Sequence, residues 1–162
     1  MFSGLGWPQV DFEAMMMSFG PIYIDHIGIA ARDLDDASAF WNLLGLKQGV
    51  EDETVEDQGV TTRFFSTSPA TPESMSKPTL VELLEPTGED TPIGRFLAKK
   101  GPGMQQICFR VGDLEGLIAH LLANGIVMID ELPRMGAGGK RIAFVHPKST
   151  GGVLVELTEN PR

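Results

Sequence analysis

The sequence predicts an α+β fold, with two related βαβββ modules forming a curved mixed sheet around a metal-binding cleft. Three observations predict it. Short β-branched runs with alternating apolar residues are separated by a few stretches of helical periodicity. A shift of about 80 residues carries Asp33-Leu34 onto Asp113-Leu114, Gly45 onto Gly125 and His26 onto Gln106. The last strand of each half repeats four letters, Leu80-Val81-Glu82-Leu83 and Leu154-Val155-Glu156-Leu157. One half alone is a small sheet with a single helix and too little core, so the repeat implies two halves that fold against each other.

Residues 1–20 mix Gly, Pro and a Met15-Met16-Met17 run without periodicity. They read as an N-terminal extension, flexible or loosely docked, with a dimer contact or a misassigned start as other readings. Residues 21–162 read as one domain, module 1 about 22–86 and module 2 about 103–160. A strand is expected over 22–30. Asp33 then caps a helix carrying Ala37, Phe40, Trp41 and Leu44, closed by Gly45. Strands are expected at 46–52, 60–67 and 78–85, with a Ser/Thr/Pro loop over 66–78. The connector holds a short helix over 92–100 with Pro92 in its first turn. Module 2 repeats the order: a strand at 105–111, a helix capped by Asp113 with Leu114, Leu117, Ile118, Leu121 and Leu122 on its apolar face, then strands at 126–132, 140–146 and 152–158.

Composition narrows the function. Thirteen basic against 22 acidic side chains give a net charge of −9, with no basic face of the kind nucleic acid requires. No apolar run reaches the roughly 18–20 residues of a membrane span. The first residues carry Asp11 and Glu13 and no basic residue, unlike a secretory signal, so a cytoplasmic location is expected. One cysteine, Cys108, excludes an internal disulfide and a thiol metal cluster. Within Ile107-Cys108-Phe109 it reads as a packed small hydrophobe or, less simply, a reactive thiol.

The residues with chemistry are the repeated ones. Glu82 and Glu156 sit mid-strand among apolar neighbours, where a carboxylate faces solvent, pairs, or binds something. Both share a strand face with a leucine. With His26 and Gln106 from the first strand of each half, they offer one imidazole nitrogen, one amide oxygen and two carboxylates. That set suits Zn, Co, Ni or Mn as a divalent ion with positions open to substrate oxygens. The alternative is two carboxylates facing water on an open sheet. His120 falls within the second helix and reads as a packing or surface residue. His146 ends a strand before Pro147, as a turn residue or a ligand contact. Neither aligns with the candidate ligand positions, which disfavours a two-His iron dioxygenase site. In His146-Pro147-Lys148-Ser149-Thr150-Gly151-Gly152, the Lys148 ammonium and the Ser149 and Thr150 hydroxyls can hold an anionic group, or simply form a solvated turn.

Several of these segments together resemble a known family. Ile24-Asp25-His26-Ile27-Gly28-Ile29-Ala30, Gln58-Gly59-Val60, Val81-Glu82-Leu83-Leu84-Glu85-Pro86, Pro92-Ile93 with Phe96-Leu97, and the run from His146 to Leu157 are similar to the methylmalonyl-CoA epimerases of the vicinal oxygen chelate, glyoxalase-like superfamily. The resemblance covers about residues 22–160, and the His146–Leu157 run is its most specific part. It implies paired βαβββ modules around a divalent metal, with His26, Glu82 and Glu156 at ligand positions and Gln106 where the family usually carries a second histidine. It also implies an isomerase that moves a proton on the carbon between a thioester and a carboxylate, with Glu156 as a proton-handling ligand and Glu82 as its counterpart for the other face. The turn bearing Lys148, Ser149 and Thr150 would hold part of coenzyme A, and a homodimer is the implied assembly. Some epimerases place a further glutamate base where this chain has Thr62. A glyoxalase-like isomerase or lyase on another oxygen-chelating substrate, and a non-catalytic small-molecule binding protein on the same fold, are the competing readings.

Overall fold

The computed structural model describes residues 18–67 and 77–159. The expectation for the N-terminal extension, apart from its last residues, lies outside them, as does most of the 66–78 loop.

Chain order is β1 (Tyr23–Ala30), α1 (Leu34–Leu43), β2 (Lys47–Gln48), β3 (Glu53–Val55), β4 (Val60–Ser66), β5 (Leu80–Pro86), α2 (Pro92–Lys100), β6 (Gly103–Arg110), α3 (Leu114–Ala123), β7 (Arg134–Met135), β8 (Arg141–Val145) and β9 (Leu154–Glu159). The helices begin where capping chemistry dictates. Asp33 accepts the Asp36 amide at 2.9 Å and Asp113 accepts the Gly116 amide at 3.0 Å, each satisfying one of the N–H groups that a helix start leaves unpaired. Thr91 does the same for α2 at 3.1 Å, followed directly by Pro92.

All nine strands join one mixed sheet in the order β2-β4-β5-β1-β6-β9-β8-β7, with β3 beside β4. Within each module the first and last strands run parallel, β1 with β5 and β6 with β9. The modules meet through the antiparallel pair β1–β6, so the pseudo-twofold of the sequence repeat runs between these two strands. Helices α1 and α3 cover the outer face, and α2 packs on the concave side, where Ile93 helps wall the cavity. Leu114, Leu117 and Ile118 of α3 pack on Ala143, Val145 and Leu157. Leu34 at the start of α1 packs on Phe65, Val81 and Leu83, and Ile93 and Leu97 of α2 on Ala30, Val60 and Leu84. Fully burying a side chain such as Leu114 contributes about 2 kcal/mol. No helix among the described residues is long and apolar enough to cross a membrane.

Two expected strands differ in extent. The stretch 46–52 splits into the two-residue β2 and, after a turn, β3. The stretch 126–132 is not a continuous strand: only Met128 bridges to Val145, and the short edge strand is β7. Asp130 explains the break, because its carboxylate takes the Phe144 amide at 2.9 Å that a neighbouring strand would otherwise use.

The sheet curls until its two ends approach. Arg134 on β7 reaches Asp57, before β4, at 3.3 Å, and the Gly138 amide donates to both carboxylate oxygens of Glu53 on β3 at 3.0 Å. These side-chain contacts bridge the rim of a cup whose concave face holds the residues described next.

Candidate metal centre and active-site cleft

The site begins with an irregularity in β1. Its pairing with β6 runs from Ile24–Phe109 to His26–Cys108 with a register shift between them, so Asp25 is the extra residue of a bulge. A regular strand would send consecutive side chains to opposite faces, whereas here Asp25 and His26 are both buried. The imidazole Nδ1 lies 3.1 Å from Asp25 Oδ2, which sets the ring's orientation. Asp25 is held in turn by Lys140 Nζ at 2.8 Å and Arg110 at 3.4 Å. Two consecutive polar residues, Asp25 and His26, in an otherwise alternating strand are the sequence signal for this bulge.

The other edge of the ring points at the repeated glutamates. His26 Nε2 is 3.1 Å from Glu82 Oε2 and 3.4 Å from Glu156 Oε2. The amide of Gln106 donates to Glu156 Oε2 at 2.7 Å. The four residues proposed from the repeat therefore converge, on β1, β5, β6 and β9. Gly28 makes room for them, since a Cβ there would stand 2.6 Å from Gln106 Cγ and 3.0 Å from Leu84 Cδ1. They form the polar floor of a cavity of about 460 Å³, walled by apolar groups including Val60, Phe64, Leu84, Ile93, Ile142 and Phe144.

Burial and charge act together on this floor. Burial opposes a charge on His26, but the neighbouring Asp25, Cys108, Glu156 and Glu82 outweigh it and hold the imidazole well above its ordinary value. Burial would raise the Asp25 carboxyl, yet His26 and Lys140 pull it well below the usual carboxylate range. Burial pushes Glu82 upward against the pull of His26. Burial also pushes the Cys108 thiol up to about 12.

The donor set fits a divalent cation. His26 Nε2 and Glu82 Oε2 are buried with no hydrogen-bond partner, a cost of about 1–3 kcal/mol per group that a cation between them would remove. Two carboxylates, an imidazole and an amide are borderline-to-hard ligands. A second grouping shares His26: Asp25, His26 and Cys108 each bring one ligand atom to within 4.8 Å of the others, forming a buried cluster that can hold a metal. The expectation against thiol involvement is corrected to this extent, because Cys108 lies directly across from His26 in the β1–β6 register. Asp25 already occupies Nδ1, so the Nε2 side is the one that opens to the cavity.

The remaining candidates lie elsewhere. Lys148 and Ser149 belong to a 3-10 turn, Pro147–Ser149, between β8 and β9, Thr150 ends it, and none of the three is among the cavity-lining residues. Ser149 Oγ accepts the Val127 amide at 3.0 Å, and Thr150 donates to Pro147 O at 3.1 Å and contacts Val153 O. Lys148 is exposed. His146 Nδ1 accepts the Lys148 amide at 3.1 Å, as a turn residue does, and His120 packs against Phe19 with ring centres 5.3 Å apart and planes tilted by 47°. Thr62 does face the cavity, with its hydroxyl buried and unpartnered.

Comparison with known proteins bears on this geometry. The family model described as the Glyoxalase/Bleomycin resistance protein/Dioxygenase superfamily matches residues 25–144. The uncharacterized protein YqjC of Bacillus subtilis (strain 168) is 42% identical over 137 residues, covering 84% of this chain and 91% of that protein. The mitochondrial methylmalonyl-CoA epimerase of Dictyostelium discoideum is 38% identical over 139 residues, covering 84% of this chain and 77% of its own. A variant of the Streptomyces coelicolor methylmalonyl-CoA epimerase, solved in complex with 2-nitronate-propionyl-CoA, superposes with a TM-score of 0.78 at 37% identity, over 85% of this chain and 94% of that one.

Proposed function

Because this chain belongs to the glyoxalase/bleomycin resistance protein/dioxygenase superfamily and, within it, to the methylmalonyl-CoA epimerase family, we propose that it is a metal-dependent epimerase of methylmalonyl-CoA or a closely related 2-substituted acyl-CoA. The observation that carries the proposal is the convergence of Glu82 and Glu156 on the single Nε2 of His26, beside Gln106, at the floor of an otherwise apolar cavity. His26, Glu82, Gln106 and Glu156 would hold the ion. A divalent ion bound there supplies Lewis-acid stabilisation of charge developing on the substrate's thioester and carboxylate oxygens.

The chain's own residues do the rest. Asp25 orients His26 and, through Lys140 and Arg110, is itself held in place. The Gln106 amide fixes Glu156 through one carboxylate oxygen, and Glu156 would take the proton from the α-carbon. Glu82 is the symmetry-related carboxylate on the same floor. The apolar walls keep bulk water from an acidified α-carbon. A cavity of about 460 Å³ suits a short branched acyl group, and the coenzyme A portion would leave through the mouth. Lys148, Ser149 and Thr150 are assigned to that portion, with Lys148 as the cation and the two hydroxyls shaping the turn. The same reading carries a cytoplasmic homodimer, without nucleic-acid or membrane partners.

Gln106 at a ligand position favours a second reading, turnover of another oxygen-chelating substrate such as a hemithioacetal, since an amide is a weaker ligand than imidazole for zinc, cobalt or nickel. The experiment is incubation of metal-stripped protein with methylmalonyl-CoA in deuterated water, with and without Co²⁺. Metal-dependent deuterium at the α-carbon is expected. No exchange with any divalent ion, together with turnover of a hemithioacetal, would transfer the assignment to the second reading.

A further inference from the structure

The two walls beside the floor are not equivalent. A shift of 80 residues carries Phe64 onto Phe144 and Thr62 onto Ile142. The strand pairing agrees: Phe64 is opposite Glu82 in β4–β5, and Phe144 is opposite Glu156 in β8–β9. These two Phe–Glu pairs line the cavity, as do Thr62 and Ile142. The pseudo-twofold therefore holds at the floor and breaks one step away from it. Module 2 presents the apolar Ile142, and module 1 presents a hydroxyl at the equivalent point.

That hydroxyl has no partner. Thr62 is 2 % exposed, and its Oγ1 is buried without a hydrogen bond. Among the described residues, the other buried polar atoms in this state are His26 Nε2 and Glu82 Oε2 on the floor and Gln105 Oε1 on β6. The Gln105 oxygen accepts and does not donate, whereas a hydroxyl does both. An orphaned buried hydroxyl is costly, so its place opposite an isoleucine calls for a ligand oxygen that completes it. The lysine and arginine that line the cavity are committed elsewhere: Lys140 to Asp25 at 2.8 Å, and Arg134 to Asp57 at 3.3 Å and Asp130 at 3.2 Å.

We propose that Thr62 is a specificity-determining residue that fixes which way round the substrate lies, by donating its hydroxyl to the substrate's free carboxylate; this rests on the epimerase reading. A 2-carboxy acyl thioester brings two similar ends to the floor, each with one oxygen for chelation. They differ in the neighbouring atom. The carboxylate carries a second anionic oxygen, a strong acceptor, and the thioester carries sulfur, a weak one. On a symmetric floor either end could take either side. The Thr62 hydroxyl binds the second carboxylate oxygen, and the apolar Ile142 side receives the thioester sulfur. Thr62 is a diagonal neighbour of Glu82 across β4–β5, roughly 7–8 Å away between Cα atoms, so one carboxylate can reach both the floor and the hydroxyl. The same contact selects for acyl groups that bear the carboxylate.

The test compares wild type with Thr62→Val, which keeps the shape and removes the hydroxyl, and Thr62→Ser, which keeps the hydroxyl. Each Co²⁺-loaded protein is titrated calorimetrically with racemic methylmalonyl-CoA and with propionyl-CoA, which lacks the carboxylate. Thr62→Val should bind methylmalonyl-CoA about 10-fold or more weakly and propionyl-CoA within about twofold of wild type, and Thr62→Ser should recover most of the loss. Ligand-free Thr62→Val should melt at or above the wild-type temperature, since no hydrogen bond inside the protein is lost. Unchanged methylmalonyl-CoA binding, equal weakening toward both ligands, no recovery in Thr62→Ser, or a Tm several degrees lower in Thr62→Val would overturn the role of Thr62. Wild type that binds methylmalonyl-CoA no better than propionyl-CoA would instead remove the epimerase reading itself.

Discussion

His26 Nε2 lies 3.1 Å from Glu82 Oε2, and both atoms are buried without a hydrogen-bond partner. Both the imidazole and the carboxylate have their proton affinity raised above the ordinary value in the absence of a metal. A cation bound between them competes with those protons. The expected outcome is release of about one proton or more per divalent ion bound, and affinity that rises with pH. Calorimetry in two buffers of different ionisation enthalpy measures the proton count directly. A count of zero would mean that the ion binds away from His26.

Asp25 is the next position to test, because it joins His26 to Lys140 and Arg110. Asp25→Asn removes the charge that stabilises both the ring orientation and the two cations. Metal affinity should fall about 10–100-fold. The pH dependence has a definite sign. The native carboxyl sits below its ordinary value of 3.8, so its contribution is present above that value and is lost as pH falls through the range beneath it. Acid unfolding of metal-free wild type should therefore show a component below about pH 4 that Asp25→Asn lacks. Identical acid-unfolding curves would rule out this account.

Gly28→Ala tests the floor sterically. Its Cβ would stand 2.6 Å from Gln106 Cγ, too close for any real contact, so Gln106 must move. The expected cost is about 1–3 kcal/mol in urea unfolding, with weaker metal binding. Unchanged stability and affinity together would show that the β1–β6 floor is looser than its register implies.

Much of this protein was legible before folding. The period-two runs, the Asp33 and Asp113 caps and the terminal glycines of α1 and α3 act locally, through backbone geometry and hydrogen bonds a few residues long, and the elements formed where those signals stand. The equivalence of Glu82 with Glu156 and of His26 with Gln106 was legible as well, because a repeated module places repeated letters at equivalent points of the sheet. The 126–132 strand is the exception, because Asp130 competes there for a backbone amide.

Tertiary structure decided what those letters do. An alternation pattern cannot show that a one-residue bulge turns Asp25 inward beside His26, since a bulge is defined by the partner strand it mismatches. Nor can it bring Glu53 to Gly138, 85 residues apart in sequence, because that contact exists only when twist and curl carry the two ends of a nine-stranded sheet toward each other. The sequence by itself determined the modules, their helices and the four residues of the floor. The curvature of the sheet decided which atoms share that floor and which groups meet across its rim, since distances across a cup depend on every strand pair between its rims.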